Sequence, residues 1–138
     1  MRVSQRLDYA LRAAVELANL APGRFEAGAD IAGRLGLPAR FVEQQLSVLG
    51  KHGLVECRRG SGGGCALARP AEEITVAEVV AALEGTCLDA PRVSGSAVSA
   101  LWKELAASME GVLGRVTLAQ LAQEQQVIDA ARSPMYYI

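Results

Sequence analysis

A chain of 138 residues with 51% hydrophobic content carries enough apolar side chain for one packed core, and its length fits a single domain with at most a small appended element. Its longest stretch without Asp, Glu, Lys or Arg, Val93 to Trp102, is about half of the ~20 residues that cross a bilayer, and nothing resembles a signal peptide, so a cytoplasmic protein is expected. The formal net charge of −1 hides an asymmetry: residues 1–69 hold ten Lys/Arg against six Asp/Glu and residues 70–138 four against nine, which confines any footprint for a polyanion to the N-terminal half.

The first predicted helix, near Leu7 to Leu20, puts Leu7, Leu11, Ala14, Val15 and Ala18 on one side and ends at Pro22-Gly23. Ile31 and Leu35 then give a short apolar stripe, Gly36-Leu37-Pro38 a break, and Val42, Leu46 and Leu49 a second stripe that Gly53 stops. Pro38 suits the first turn of that second helix, where a missing N–H costs nothing. If the stripe is buried, Arg40, Glu43, Gln44 and Ser47 face outward, with Lys51 a turn later. These residue types pair with base edges and phosphates: Arg with guanine, Gln with adenine, Glu with the cytosine amino group. His52, the only histidine, reads as a C-terminal cap or a phosphate-facing residue.

Residues 54–70 read as two short strands joined by a glycine-rich turn, the wing of a winged helix-turn-helix. Arg58 and Arg59 at its entrance suit phosphates or a narrow minor groove, and Ser61 and Gly62 lie at its tip. Gly60, Gly62, Gly63 and Gly64 let the backbone approach closely. Taken singly, such charges are a solvated face and such glycines a loose hairpin; it is the ordered set of stripe, break, stripe and basic wing that points to DNA.

After the wing, Thr75-Val76-Ala77-Glu78 is a capping box opening a short helix through Glu84, and residues 86–97 have loop composition. Val98, Leu101, Leu105, Met109, Val112 and Val116 repeat at threes and fours, with Trp102 beside them. This seam suits either the chain's own core or a second copy. Gly111 and Gly114 weaken the helix and suggest a kink or close helix contact there. Thr117 to Gln120 is a second capping box, restarting a final helix to about Ala131. The expected organisation is a winged helix-turn-helix over 1–70, a short helix and loop over 71–95, a dimerisation helix and final helix over 96–131, and a tail over 132–138.

Cys57 and Cys65 flank the wing turn and can face each other across it. They read either as two small, partly buried thiols or, with Cys87, as oxidation-sensitive groups, Arg58 then lowering the pKa of its neighbour Cys57. No cysteine spacing matches a zinc site, and no metal or cofactor is expected. Ser94, Ser96 and Ser99 lack a histidine base, and the glycine run lacks the Lys-Ser/Thr ending of a phosphate-binding loop, so catalysis is not expected.

Together, Met1-Arg2-Val3-Ser4, Asp8-Tyr9-Ala10-Leu11, Phe41 to Leu46, Gly53-Leu54-Val55, Arg59-Gly60, Gly63-Gly64, Ile74-Thr75, Leu83-Glu84-Gly85, Ala100-Leu101-Trp102 and Thr117-Leu118 resemble the Rrf2 family of bacterial winged-helix regulators. Cys65 departs from the pattern, standing where the family usually has tyrosine. The resemblance implies a homodimer in which the long helix crosses its partner, placing Val98, Leu101, Trp102, Leu105, Met109 and Val112 at the interface. Iron–sulfur members of the family carry three cysteines, often with a histidine, before that helix. This chain has Cys87 alone there, with Ser96 and Ser99 where the last cysteine and the histidine would stand. The resemblance therefore implies the cluster-free branch that represses cysteine-metabolism genes.

The ending Met135-Tyr136-Tyr137-Ile138 is apolar where chains are usually polar and frayed. It suits docking on its own dimer, or capture of an isoleucine carboxylate by a pocket of backbone N–H groups. It is similar to the termini of the cysteine-metabolism repressors and of serine acetyltransferase, whose tail enters the active site of cysteine synthase. That enzyme is the implied protein partner. A thiol-redox sensor, an iron–sulfur sensor with unusual ligands, and an interaction module that no longer binds DNA are the competing readings.

Overall fold

The computed structural model describes residues 2–91 and 94–132. The fold is mainly α-helical with one small antiparallel sheet: α1 (Gln5–Ala18), α2 (Gly28–Leu35), α3 (Ala39–Lys51), β1 (Val55–Arg58), β2 (Gly64–Leu67), α4 (Val76–Glu84), α5 (Ala97–Arg115) and α6 (Leu118–Arg132), with a 3-10 turn at Ala71–Glu73. This is a winged helix-turn-helix followed by a long helix, as the sequence patterning suggests.

The core forms around α1, whose buried face is Ala10, Ala13, Ala14 and Leu17. Alanines there let neighbouring helices approach closely, and α2, α3, α4, α6 and β2 all pack on α1. Ile31, Val42, Leu46, Leu49, Ile74, Val79 and Leu118 fill the space between them, each almost fully buried. Every such aliphatic side chain stabilises the fold by roughly 1.5–3 kcal/mol. Ser4 caps α1 through its hydroxyl, which accepts from the Leu7 N–H at 3.1 Å, so the helix starts two residues before the position expected from the apolar stripe.

Gly36 takes φ 70° and closes α2, making the break between α2 and α3. Pro38 stands at the N-cap, one position before the first turn where the sequence reading put it. The ring of Tyr9 meets that of Phe41 edge-on, centroids 5.4 Å apart, and ties the start of α3 to α1. Gln45 of α3 is buried between the apolar positions, which the sequence pattern did not suggest, and its Oε1 has no hydrogen-bond partner among the described residues.

Both capping boxes form. In the first, Thr75 Oγ1 accepts from the Glu78 N–H at 3.3 Å while Glu78 Oε2 accepts from the Thr75 N–H at 3.0 Å. In the second, Thr117 and Gln120 exchange the equivalent pair at 3.1 and 2.9 Å. The two helix starts lie side by side, because the Val76 N–H donates to the Val116 carbonyl at 2.8 Å and the Leu118 N–H to the Ile74 carbonyl at 2.9 Å. At the other end of α4, Glu84 accepts from the Ser4 hydroxyl and from Arg6 Nη2 at 2.7 Å. α5 runs unbroken through Gly111 and Gly114, and among the described residues only the Arg115 side chain comes near a Cβ position there, 3.5 Å from that of Gly111. No helix among the described residues is long and apolar enough to cross a membrane.

Candidate nucleic-acid interface

At about 100° per residue, Arg40, Glu43, Gln44, Ser47 and Lys51 fall within an arc of roughly 100° on α3, opposite Val42, Gln45, Leu46 and Leu49. The burial follows this division: the first five are exposed and the last four buried. Arg40 and Lys51 make no ion pair with another described residue, and both are available to an anion. The stem of Glu43 leans on α2, since a Cβ added at Gly28 would come within 2.9 Å of Glu43 Cγ. His52 Nδ1 lies 3.0 Å from the Val48 carbonyl, a position that fits the first of the two roles read for it, the C-terminal cap.

In the wing, Val55 pairs with Leu67, Glu56 with Ala66, Cys57 with Cys65 and Arg58 with Gly64. A third segment joins the sheet: the Glu26 N–H donates to the Cys65 carbonyl at 3.0 Å and the Cys65 N–H to the Glu26 carbonyl at 2.7 Å. Gly64, at φ 128°, permits that approach, because any Cβ there would strike the Glu26 backbone. Arg34 of α2 holds the base of the arrangement, donating to Glu26 through Nη1 at 2.7 Å and Nη2 at 2.5 Å and to Glu16 of α1 through Nε at 2.8 Å. The Arg34 hydrogen bonds keep the Glu26 carboxyl below its ordinary pKa, against a smaller opposing effect of burial, and the same pairs raise that of Arg34. The wing is thereby fixed to α2 and, through Glu16, to α1.

Arg59, Ser61 and Gly62 are exposed on the wing turn, and Arg59 makes no ion pair with another described residue. Arg58 is held differently from the expectation. Its guanidinium lies over the Phe25 ring, 4.3 Å from the centroid, and its Nη2 is 3.2 Å from Glu56. Strand alternation sends neighbouring side chains to opposite faces, so this charge is committed away from Cys57, and the suggested lowering of the Cys57 pKa by Arg58 lacks its geometric basis.

Cys57 and Cys65 are joined by a disulfide across the hairpin, their Cα atoms 4.1 Å apart, which replaces the expectation of two small free thiols. Cys57 is exposed and Cys65 buried. Cys87 is free, half-buried beside a cavity of about 260 Å³ between α4 and α5, and its thiol donates to the Ala106 carbonyl at 3.7 Å. Among the described residues no three His, Cys, Asp or Glu side chains converge as a metal site.

On α5, Val98, Leu101, Trp102 and Val112 are exposed, Leu105 and Met109 half-buried, and no residue of the helix is fully buried. The flank carrying Ala106, Glu110 and Leu113 lies toward α4, and Val98, Leu101, Trp102 and Val112 are left uncovered. Met135, Tyr136, Tyr137 and Ile138 lie outside the described residues. Sequence reasoning missed Phe25, Glu26 and Arg34, which position the wing without belonging to a periodic stripe.

The profile of the Rrf2 family, described as iron-dependent transcriptional regulators, matches residues 3–124. The chain belongs to the Rrf2 family. A helix-turn-helix-type transcriptional regulator of Mycobacterium tuberculosis is 37% identical over 131 residues, covering 88% of this chain and 81% of its own length. Among solved structures, T. potens IscR superposes with a TM-score of 0.82 at 31% identity, over 99% of this chain and 97% of that one. CymR, the global cysteine regulator of B. subtilis, superposes with a TM-score of 0.81 at 28% identity, over 90% and 98%. This Rrf2 protein is a DNA-binding transcriptional regulator; it superposes on IscR and CymR about equally well, while its sequence identity is higher to IscR, 35% for the Escherichia coli protein over 95% of this chain.

Proposed function

We propose that this Rrf2 regulator is a cytoplasmic homodimeric repressor of cysteine- or sulfur-metabolism genes that reads a pseudo-palindromic operator and carries no iron–sulfur cluster. The observation that carries the DNA-reading part is the exposed arc of Arg40, Glu43, Gln44, Ser47 and Lys51 on α3, flanked by a basic wing anchored to α2 and α1. α3 enters the major groove with its N-terminal half, where Arg40, Glu43 and Gln44 meet base edges, while Arg59, Ser61 and Gly62 of the wing meet the backbone or the adjacent minor groove. A second copy covers the exposed seam of α5, which sets two reading helices one turn of DNA, ~34 Å, apart.

The iron in the family description calls for thiolate or imidazole donors. The donors present do not fit a cluster held by this chain: Cys57 and Cys65 are bonded to each other, the Nδ1 of His52 faces a helix carbonyl, and Cys87 stands alone before α5. This donor set and the likeness to CymR support the cysteine-metabolism branch, in which cysteine synthase would be a partner protein.

Footprinting followed by titration of the recovered site tests the reading. Arg59→Ala should weaken binding on all sequences and reduce the salt slope by about one, whereas Glu43→Ala should relax base preference, each lost base contact being worth roughly 1–3 kcal/mol. Two variants indistinguishable from wild type would reject this reading face. Protein purified without oxygen should be colourless, and Cys87→Ser should leave DNA binding unchanged. Stoichiometric iron and sulfide lost in that variant would move the protein to the sensor branch.

A further inference from the structure

We infer that Cys57 and Cys65 form a peroxide-operated thiol–disulfide switch that sets the order of the wing, and hence DNA affinity; the inference rests on the proposed role of the wing in reading DNA. The two strands are unequally anchored. Cys65 on β2 is buried, and its N–H and carbonyl are both tied to Glu26, which Arg34 holds to α1 and α2. The outer half of β1, Cys57 and Arg58, is exposed, and among the described residues it is held by β2, by Phe25 and by the neighbouring Glu56 carboxylate rather than by the helical body. A two-stranded ribbon of four residues a side is marginal by itself. The disulfide fastens the loosely held strand to the anchored one, next to the turn that carries Arg59. In a reducing cytoplasm a cross-link at such a place is a transient, sensing bond rather than a permanent staple.

The exposure difference assigns the order of events. The Cys57 thiol gives its proton to water, and its thiolate attacks the O–O bond of hydrogen peroxide, leaving a sulfenic acid and one water. The Cys65 sulfur, directly opposite in the register, then attacks the Cys57 sulfur. The S–O bond breaks, the S–S bond forms, and hydroxide leaves with the Cys65 proton as a second water. Two thiols and one peroxide have become a disulfide and two waters. A dithiol reductant reverses the step by exchange.

Closing the bond removes the cost of ordering the wing during DNA association, so the oxidised protein should bind about three- to tenfold more tightly than the reduced one. The test uses the full chain and a fluorescent duplex selected from a random-sequence pool by the wild-type protein, titrated before and after peroxide, with intact mass and thiol alkylation read in parallel. The expected result is a loss of two hydrogens, protection of Cys57 and Cys65 but not Cys87, tighter DNA binding, and reversal by dithiothreitol. Cys57→Ser and Cys65→Ser should each bind with the reduced affinity and ignore peroxide, while Cys87→Ser keeps the response. Equal affinity in both redox states, failure of the intramolecular bond to form, or a response that survives in the Cys57 and Cys65 variants overturns the switch and leaves the DNA-reading assignment standing. Absence of selected DNA in either state overturns that assignment and the switch with it.

Discussion

Replacing Gly64 by alanine tests the anchoring of the wing at its tightest point. The residue holds φ 128°, a conformation that costs an L side chain on the order of 1–3 kcal/mol, and the new Cβ would press on the backbone of Glu26 and Ala27, adding about 1–3 kcal/mol. Relief requires the strand to move off Glu26, which gives up the hydrogen bonds of 3.0 and 2.7 Å to Cys65 at about 1 kcal/mol each. The total for Gly64→Ala is therefore about 4 kcal/mol, limited by the free energy of peeling the wing from the body. Gly62→Ala is the control, since Gly62 also has positive φ, at 77°, but nothing lies within 4 Å of its Cβ position, and it should cost about 1–2 kcal/mol. Urea denaturation measures the global loss, and hydrogen exchange of the Cys65 amide reports peeling. If Gly64→Ala is no more destabilised than Gly62→Ala and its Cys65 amide stays protected, the close approach of β2 to Glu26 is wrong.

Leu101→Glu places a charge on the exposed seam of α5 and should convert the proposed dimer to folded monomer in sedimentation, with helical content kept; an unchanged dimer would place the interface elsewhere. The Glu84 carboxyl is held below its ordinary value by the Ser4 hydroxyl first and Arg6 second, so its stabilising contribution is present above the unfolded pKa of about 4.3 and is lost as pH falls through the lower folded value. Glu84→Gln should flatten that acid limb by no more than about 1 kcal/mol, because Arg6 is half exposed, and an unaltered limb would remove Glu84 from the account. Deleting Tyr137 and Ile138 should abolish calorimetric binding to cysteine synthase while leaving the dimer intact; dissociation of the dimer instead would make the tail structural.

The helix pair, both capping boxes and the hairpin were legible because each rests on local rules: a 3.6-residue apolar period, a Thr followed three residues later by Glu or Gln, and glycines between short strands. The exposed arc of α3 followed from the same period. What escaped was set by contacts distant in sequence. Glu26 pairs with Cys65 over a single bridge, too short to leave an alternating pattern, and Phe25 acquires its role only when Arg58 is folded onto it. The opposition of Cys57 and Cys65 across the hairpin was legible from their places either side of the turn and is borne out by the register; the bond between them was not expected of two small thiols. The α5 seam was ambiguous for a physical reason: a stripe bound for a partner and one bound for the chain's own core have the same period. In the structure α4 lies along an adjacent flank of α5 and leaves Val98, Leu101, Trp102 and Val112 exposed.

The fastening of α4 at both ends bears on how such a regulator diversifies. Glu84 is tied to Ser4 and Arg6 at the start of α1, and Val116 and Leu118 are tied to Val76 and Ile74. The chain between these two points, residues 85–115, is an excursion whose departure and return are both secured to the DNA-reading body. Lengthening or shortening the loop before α5, or changing the chemistry around Cys87, alters the excursion without shifting the frame that holds α3. One reading head can thus be fitted with different sensory inserts, each free to evolve its own chemistry as long as the two moorings remain.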